Sequence, residues 1–175
     1  MTIATGDALA RLVTSLTIAF EAGEEMQIEP LPKAYERYRS ELGHEIYGEH
    51  GYNLPREDTE GYTKAVLQNF RFYGAPMVAI VCIDQVLARA DVLSTGMYLQ
   101  LLTLLLAERG LGTCVEGSPV GYPKVIRKEL GIPENMTMLC AIAIGYEDNV
   151  QPINKLKMPR DAWQNNVRFV DDEVV

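Results

Sequence analysis

The segment most informative about the fold of this chain is Met97-Tyr-Leu-Gln-Leu-Leu-Thr-Leu-Leu-Leu-Ala107, followed closely by Gly110-Leu-Gly-Thr-Cys-Val-Glu-Gly117. The first part is predicted to be helical, and its apolar residues cover almost the whole circumference of the helix instead of one stripe. A helix that is apolar all round must be covered all round. Two coverings are possible: the helix lies wholly inside the core of one domain, or it packs against a second subunit.

The second part of this stretch holds three glycines, a cysteine and a lone glutamate. Gly110 suits the position that ends a helix, and residues 111–115 are expected to form a short strand. Gly112 and Gly117 carry no side chain, so the backbone could approach a flat ligand closely and bond the edge of its ring. The simpler interpretation, a helix cap followed by a strand and a turn, is the alternative.

Helices alternate with strands on both sides of this stretch. Strands are predicted at residues 2–5, 75–83 and 136–146, and helices at 8–20, 33–47, 58–68, 91–109 and 122–130, with Asp7 and Asp58 as helix caps. The two long strands are continuously apolar, so both of their faces need cover. We therefore predict one domain over residues 1–175, of three-layer α/β or α+β type, that ends in a polar tail from residue 147.

Composition excludes several classes of function. The 175 residues include 16 Lys and Arg against 24 Asp and Glu, a net charge of −8, which argues against nucleic acid and anionic membrane surfaces as partners. The three cysteines form no close pair and are expected in the core, with a reactive thiol at Cys114 as the alternative. A signal peptide and an apolar run of about 20 residues are not seen, so a cytoplasmic protein without a membrane span is predicted.

One compact basic patch, Asn154-Lys-Leu-Lys-Met-Pro-Arg160, stands out in this acidic chain. In an extended segment Lys155 and Lys157 point to the same side, and two converging ammonium groups can bind a phosphate. Solvated surface lysines are the alternative. Phosphate loops, nucleophile elbows, zinc-spaced ligands and dinucleotide fingerprints are not found, so an enzyme of this sequence would rely on a cofactor for its chemistry.

An ordered series of motifs resembles the nitroreductase family. The series spans residues 2–170 and consists of Asn69-Phe-Arg-Phe-Tyr-Gly-Ala-Pro76, the apolar helix, the glycine-rich stretch, Leu130-Gly-Ile-Pro133, Ile144-Gly-Tyr146 and Asn154-x-x-Lys157. The first of these blocks is similar to that of the nitrobenzoate-reductase-like branch. The resemblance implies an α+β fold, a three-layer sandwich with a central, mostly antiparallel sheet and a long helix buried in a homodimer.

The resemblance also implies a flavin mononucleotide (FMN) at the subunit interface, with NAD(P)H as co-substrate. The residues that it assigns to FMN are Asn69, Arg71, Val115, Glu116, Gly117, Lys155 and Lys157. The first two would lie near the ribityl chain or pyrimidine edge, the backbone of residues 115–117 beside the reducible nitrogen, and the two lysines on the phosphate. Residues 147–175 would wrap the partner subunit.

The implied activity is hydride transfer from NAD(P)H, through the flavin, to a nitroaromatic, a quinone or a related acceptor. The flavin carries this chemistry, so no catalytic side chain is assigned. The family's arginine-rich helix and Ser-x-x-Asn-x-Gln-Pro-Trp motif, which also bind flavin, would precede residue 1. Two alternatives follow: a flavin-free or weakly flavin-binding dimeric module, and a redox-neutral biosynthetic enzyme that reuses the pocket.

Overall fold

The computed structural model describes residues 1–170, and these residues contain one antiparallel sheet. Its strands are β1 (Thr2–Thr5), β2 (Met77–Asp84), β3 (Gly112–Glu116) and β4 (Met136–Gly145), in the spatial order β1-β2-β4-β3. The central pair, β2 and β4, consists of the two continuously apolar segments, because layers on both faces of the sheet cover them. The predicted antiparallel sheet is confirmed.

Within the described residues, five α-helices accompany the sheet: α1 (Gly6–Glu21), α2 (Glu36–Tyr47), α3 (Thr59–Phe70), α4 (Arg89–Glu108) and α5 (Pro123–Leu130). They match the five predicted helices within a few residues. Asp58 caps α3 as predicted, since its carboxylate accepts a hydrogen bond from the Gly61 amide at 2.8 Å. The predicted cap at Asp7 is wrong: Thr5 occupies that position, and Asp7 lies in the first turn, where its charge complements the helix dipole.

The main core lies between one face of the sheet and the helices α1, α3 and α5. On α1 the buried residues recur at helical spacing, so one stripe of this helix faces the sheet. Aromatic rings join the three helices: the Phe70 ring lies 4.9 Å from that of Phe20 and 5.4 Å from that of Tyr122. The largest fully buried side chains on this side are Leu12, Leu16, Phe70, Phe72, Val78, Ile80 and Ile126.

Helix α4 covers the opposite face of the sheet, which completes the three layers. Leu99 and Leu106 pack on a smaller cluster formed by Ala79, Val81, Cys140, Ile142 and Ile144. The outer side of α4 stays open: no residue of this helix is buried, and Met97 and Leu104 are 67% and 58% exposed. The alternative of a fully internal helix is therefore wrong. Residues 1–170 of one chain cover only one side of α4.

The end of α4 follows the prediction from its glycine. Gly110 has a φ of 74°, which favours glycine, and its amide bonds to Ala107 while that of Leu111 bonds to Leu106. By length and composition alone α4 could cross a membrane, with a mean hydropathy of 1.4 over its most apolar window. The prediction of no membrane span therefore cannot rest on length. Instead, Leu99 and Leu106 place one side of this helix against protein.

The tail after β4 contains only two short 3₁₀ turns up to residue 170, Pro152–Lys155 and Trp163–Asn165. It is tied to α2 of its own chain through Asp161. This carboxylate accepts hydrogen bonds from the Arg37 guanidinium at 2.8 Å and the Tyr38 hydroxyl at 2.6 Å. These two donors lower the pKa of Asp161, with the Tyr38 hydrogen bond as the largest cause. The last five residues of the predicted tail, 171–175, lie outside the described part of the chain.

Candidate functional site

A cleft of about 390 Å³ opens where the end of β4 meets β3 and the turn before β2. Glycines allow the backbone to pack closely here. A Cβ atom on Gly145 would lie 2.8 Å from the Cδ of Pro76, so only glycine lets this turn approach the strand. The cleft is lined by residues 72–76, 112–114, 143, 145–147 and 154. It thus joins residues of four of the motifs identified in the sequence.

The turn Phe72–Gly74 on one side of this cleft is strained. Phe72 and Tyr73 have φ values of 50° and 52°, in the left-handed region that residues other than glycine rarely adopt. Such strain persists where the surroundings fix the backbone, and it concentrates at functional sites. Phe72 is fully buried and anchors the turn, while Tyr73 lines the cleft.

Asn69 reaches this cleft only through Tyr73. The Tyr73 hydroxyl donates a hydrogen bond to Asn69 Oδ1 at 3.2 Å, and Asn69 Nδ2 donates to the Val66 carbonyl at 2.9 Å. The amide of Asn69 is therefore oriented by its own helix and by the strained turn. Tyr73 was not selected in the sequence analysis, although it lies within the Asn69–Pro76 block.

Strand β3 forms the other side and is an edge strand of the sheet. Cys114 and Glu116 stand opposite Ala143 and Ala141, so their side chains point toward the main core. Val115 points the other way and is 56% exposed. Because β4 occupies only one edge of this strand, backbone groups on its free edge are available to a ligand.

Gly117 continues this accessible edge. It is exposed, and a Cβ atom there would meet no other atom within 4 Å. A flat ring could therefore approach the backbone around residues 115–117. Val115, Glu116 and Gly117 do not line the cleft itself, and their assignment to a cofactor stays a prediction.

The side chain of Glu116, in contrast, is withdrawn from solvent. Only 4% of this residue is exposed, and both carboxylate oxygens are buried without a hydrogen-bond partner. This burial raises the pKa of Glu116 to about 8. The pKa of Tyr73 is also raised, chiefly by desolvation and then by the nearby Cys114 and Glu116. The glycine-rich motif indicates a role for the backbone at Glu116, whereas nothing in the sequence pattern indicates that its side chain is buried.

Cys114 lies beside Glu116 on the same face of β3. It is exposed at the sheet edge, so the prediction that all three cysteines belong to the core is wrong for this one. Partial desolvation, with a further contribution from Glu116, raises the pKa of the Cys114 thiol to about 11. The thiol is therefore protonated at neutral pH, which argues against the reactive-thiol alternative.

Lys155 and Lys157 line a second cleft of about 440 Å³. His50 and Glu45 stand on its opposite side, and Asn154, which precedes Lys155, lines the first cleft. The two clefts therefore adjoin along the tail. The predicted extended segment is wrong at Lys155, which lies in the 3₁₀ turn Pro152–Lys155. Both lysines and His50 are exposed, and the Glu45 carboxylate lines the same cleft, so the assignment of the lysines to a phosphate stays a prediction. No pattern in the sequence marks His50.

Arg71 lies apart from both clefts. It ends α3 and lines a groove of about 590 Å³ along the exposed side of that helix, together with Lys64 and Gln68. Within one chain it does not meet the edge of β3, so its assignment to a cofactor stays a prediction. Among residues 1–170, no group of three or more His, Cys, Asp or Glu side chains could hold a metal ion.

Comparison with known proteins relates this geometry to one family. A model of the nitroreductase family matches residues 10–146. The chain is 31% identical over 140 residues to a 4-nitrobenzoate reductase of Pseudomonas putida, an alignment that covers 80% of this chain and 61% of that protein. It is 30% identical over 141 residues to a 4-nitrobenzoate reductase of Nocardioides sp. (strain LMS-CY), covering 79% of this chain and 56% of that protein.

Comparison of the fold also relates this chain to nitroreductases. The crystal structure of the FMN and NADPH-dependent nitroreductase NfnB from Sphigopyxis sp. strain HMH superposes with a TM-score of 0.89 at 25% identity, over 97% of this chain and 78% of that one. The chain thus spans about 60% of the length of the two reductases it resembles in sequence. The family model and the superposition agree, and the chain belongs to the nitroreductase family.

Proposed function

We propose that this protein is an FMN-dependent oxidoreductase of the nitroreductase type, which passes hydride from NAD(P)H to a nitroaromatic, a quinone or a related acceptor. One observation carries the proposal: the strained Phe72–Gly74 turn and residues 112–114 of β3 line one cleft, and two lysines line a cleft that adjoins it. The names of the relatives, two nitrobenzoate reductases and one FMN and NADPH-dependent enzyme, support the choice of reaction.

The described residues fit FMN at both of its ends. The free edge of β3 and the backbone at Gly117 would bond the ring, where no side chain interferes. Lys155 and Lys157 would hold the phosphate through charge-assisted hydrogen bonds. When bound, FMN supplies the hydride chemistry, while the protein supplies position and a fixed pattern of charge.

We further propose a homodimer formed through the Met97–Ala107 helix. Its open side presents Met97, Leu101 and Leu104, an apolar surface that a second copy of α4 would match. The dimer would also place the tail, residues 147–175, against the partner, and the partner would complete the cleft beside β3. Three free cysteines without a disulfide suit the cytoplasm, where we place the protein.

The proposal is tested by adding FMN to the purified chain. We expect quenching of FMN fluorescence on binding, and oxidation of NADH or NADPH when nitrobenzoate is supplied. A chain that forms dimers but binds no FMN would contradict the proposal and favour the flavin-free alternative.

The phosphate site has its own test. Replacing both lysines, Lys155→Ala with Lys157→Ala, should weaken FMN binding by roughly 100-fold, since hydrogen bonds to charged groups are worth about 1.5–3 kcal/mol each. Lys128→Ala on the exposed side of α5 is the control and should leave the dissociation constant unchanged. If the double variant binds FMN with unchanged affinity, these two lysines do not bind the phosphate.

A further inference from the structure

Glu116 is the one buried charged residue among residues 1–170, and its two oxygens are the buried side-chain atoms without a partner there. The titratable groups that face it are Cys114 on its own strand and Tyr73 on the turn before β2, with Tyr52 and Tyr47 beyond them. None of these groups carries a positive charge. Across the sheet it stands opposite Ala141, which offers no side-chain hydrogen bond.

A carboxylate in such surroundings is unstable. Burying an ion without a partner is strongly unfavourable, and a group in that position binds a proton instead of remaining charged. Burial is also the cause that raises the pKa of Glu116 to about 8. Both considerations give the same charge state at pH 7, a neutral carboxylic acid.

We propose that Glu116 is the proton-holding group of the cofactor site: its buried carboxyl keeps a proton at pH 7 and so places no negative charge beside the ring that the backbone of residues 115–117 would hold. This inference rests on the proposed function, because it assigns the ring to that backbone. Glu116 would not touch the ring. It is a positioning residue that sets the charge next to the site.

The physical reason is the short distance between a side chain and its own backbone. A unit negative charge a few ångströms from the site would repel a second negative charge there, because the interior of a protein screens charges less than water does. Ionised Glu116 would therefore disfavour an electron-rich ring relative to an electron-poor one. With its proton in place, the same residue has no such effect.

The charge state can be measured on the wild-type chain without FMN. With ¹³C-labelled glutamate, infrared difference spectra should show a protonated carboxyl that titrates near pH 8. The band should be absent in Glu116→Gln and present in Glu57→Gln, a control at an exposed position before α3. If every glutamate ionises near pH 4.5, the inference is overturned, whether or not FMN binds.

Stability against pH gives an independent readout of the same group. The unfolded chain ionises Glu116 near pH 4.5 and the folded chain near pH 8, so its stabilising contribution is complete below pH 4.5 and is lost as the pH rises to about 8. Glu116→Gln cannot ionise, so its unfolding free energy should lack this decrease. Glu57→Gln should retain it, and equal slopes in all three proteins would contradict the inference.

The effect on FMN is measured from the potential of the bound cofactor between pH 6 and pH 9.5. The ratio of the affinities for reduced and oxidised FMN should agree between wild type and Glu116→Gln below pH 7. Above pH 8 the wild-type ratio should fall roughly tenfold below that of the variant. Identical curves for the two proteins at every pH would show that Glu116 does not act on the ring. Failure of the wild-type chain to bind FMN would contradict the proposed function, but it would not change the charge state of Glu116 measured by infrared spectroscopy.

Discussion

Apolar side chains of β2 and β4 line both faces of the sheet, but the two faces are covered differently. Under α1, α3 and α5 the chain closes its own core, and large side chains such as Phe70 and Leu12 lose all contact with solvent. On the other face α4 covers the sheet with one side and leaves Met97 and Leu104 open on the other. Apolar residues thus have two different roles in this molecule, to complete a core and to form a surface that needs a partner.

The largest expected effect is on the free energy of unfolding, which should depend on protein concentration for a substitution on one face and not on the other. Phe70→Ala should lower the free energy of unfolding by about 3–5 kcal/mol at every concentration, because it opens a cavity in a core that one chain completes. Leu104→Ala should cost stability that changes with protein concentration, because only a dimer buries this residue. Urea unfolding at two concentrations measures both. Equal behaviour of the two variants would remove the distinction between the faces.

A charge on the open side of α4 gives the next test. Leu104→Glu should fold, because this residue is exposed within one chain, but its dimer should dissociate at least about 100-fold more readily, since the interface would bury an unpaired carboxylate. Sedimentation velocity measures the mass. Val86→Glu, at an exposed position in the loop before α4, is the control. A Leu104→Glu chain that remains dimeric, or a wild-type chain recovered with membranes, would contradict the proposed interface.

The smallest expected effect comes from matched substitutions on the two faces of the sheet, one under the three helices and one under α4. Ile80 and Ile142 are both fully buried on the central strands, and they point to opposite faces. Ile80→Val and Ile142→Val should each cost about 0.5–1.5 kcal/mol, because the inner side of α4 packs on the sheet as the three-helix layer does. Differential scanning calorimetry measures the two melting temperatures. A much smaller cost for Ile142→Val would mean that α4 is loosely packed.

Most of the fold could be predicted because its signals are local. Apolar periodicity located the helices, continuous apolar runs located β2 and β4, and Gly110 and Asp58 marked helix ends. The error at Cys114 has a different cause. An apolar neighbourhood in the sequence predicts burial, but only the order of the strands shows that β3 lies at an edge.

The site was predicted less completely for the same reason. The two lysines and the glycine-rich strand were visible as motifs, whereas His50 and Tyr73 became candidates only when the folded chain brought them to the clefts. Arg71 shows the reverse case, since it belongs to a recognised motif but lies on the outer side of α3.

The helices, the strands, their order and the family can be predicted from the order of amino acids alone, because helix and strand periods, caps and short motifs depend on neighbouring residues. Two features depend on the folded chain: which apolar surfaces one chain covers, and the burial of the Glu116 side chain without a partner while its backbone lies at an open edge. Burial and charge state depend on residues distant in the chain, so they appear only when the sheet and its two layers are assembled.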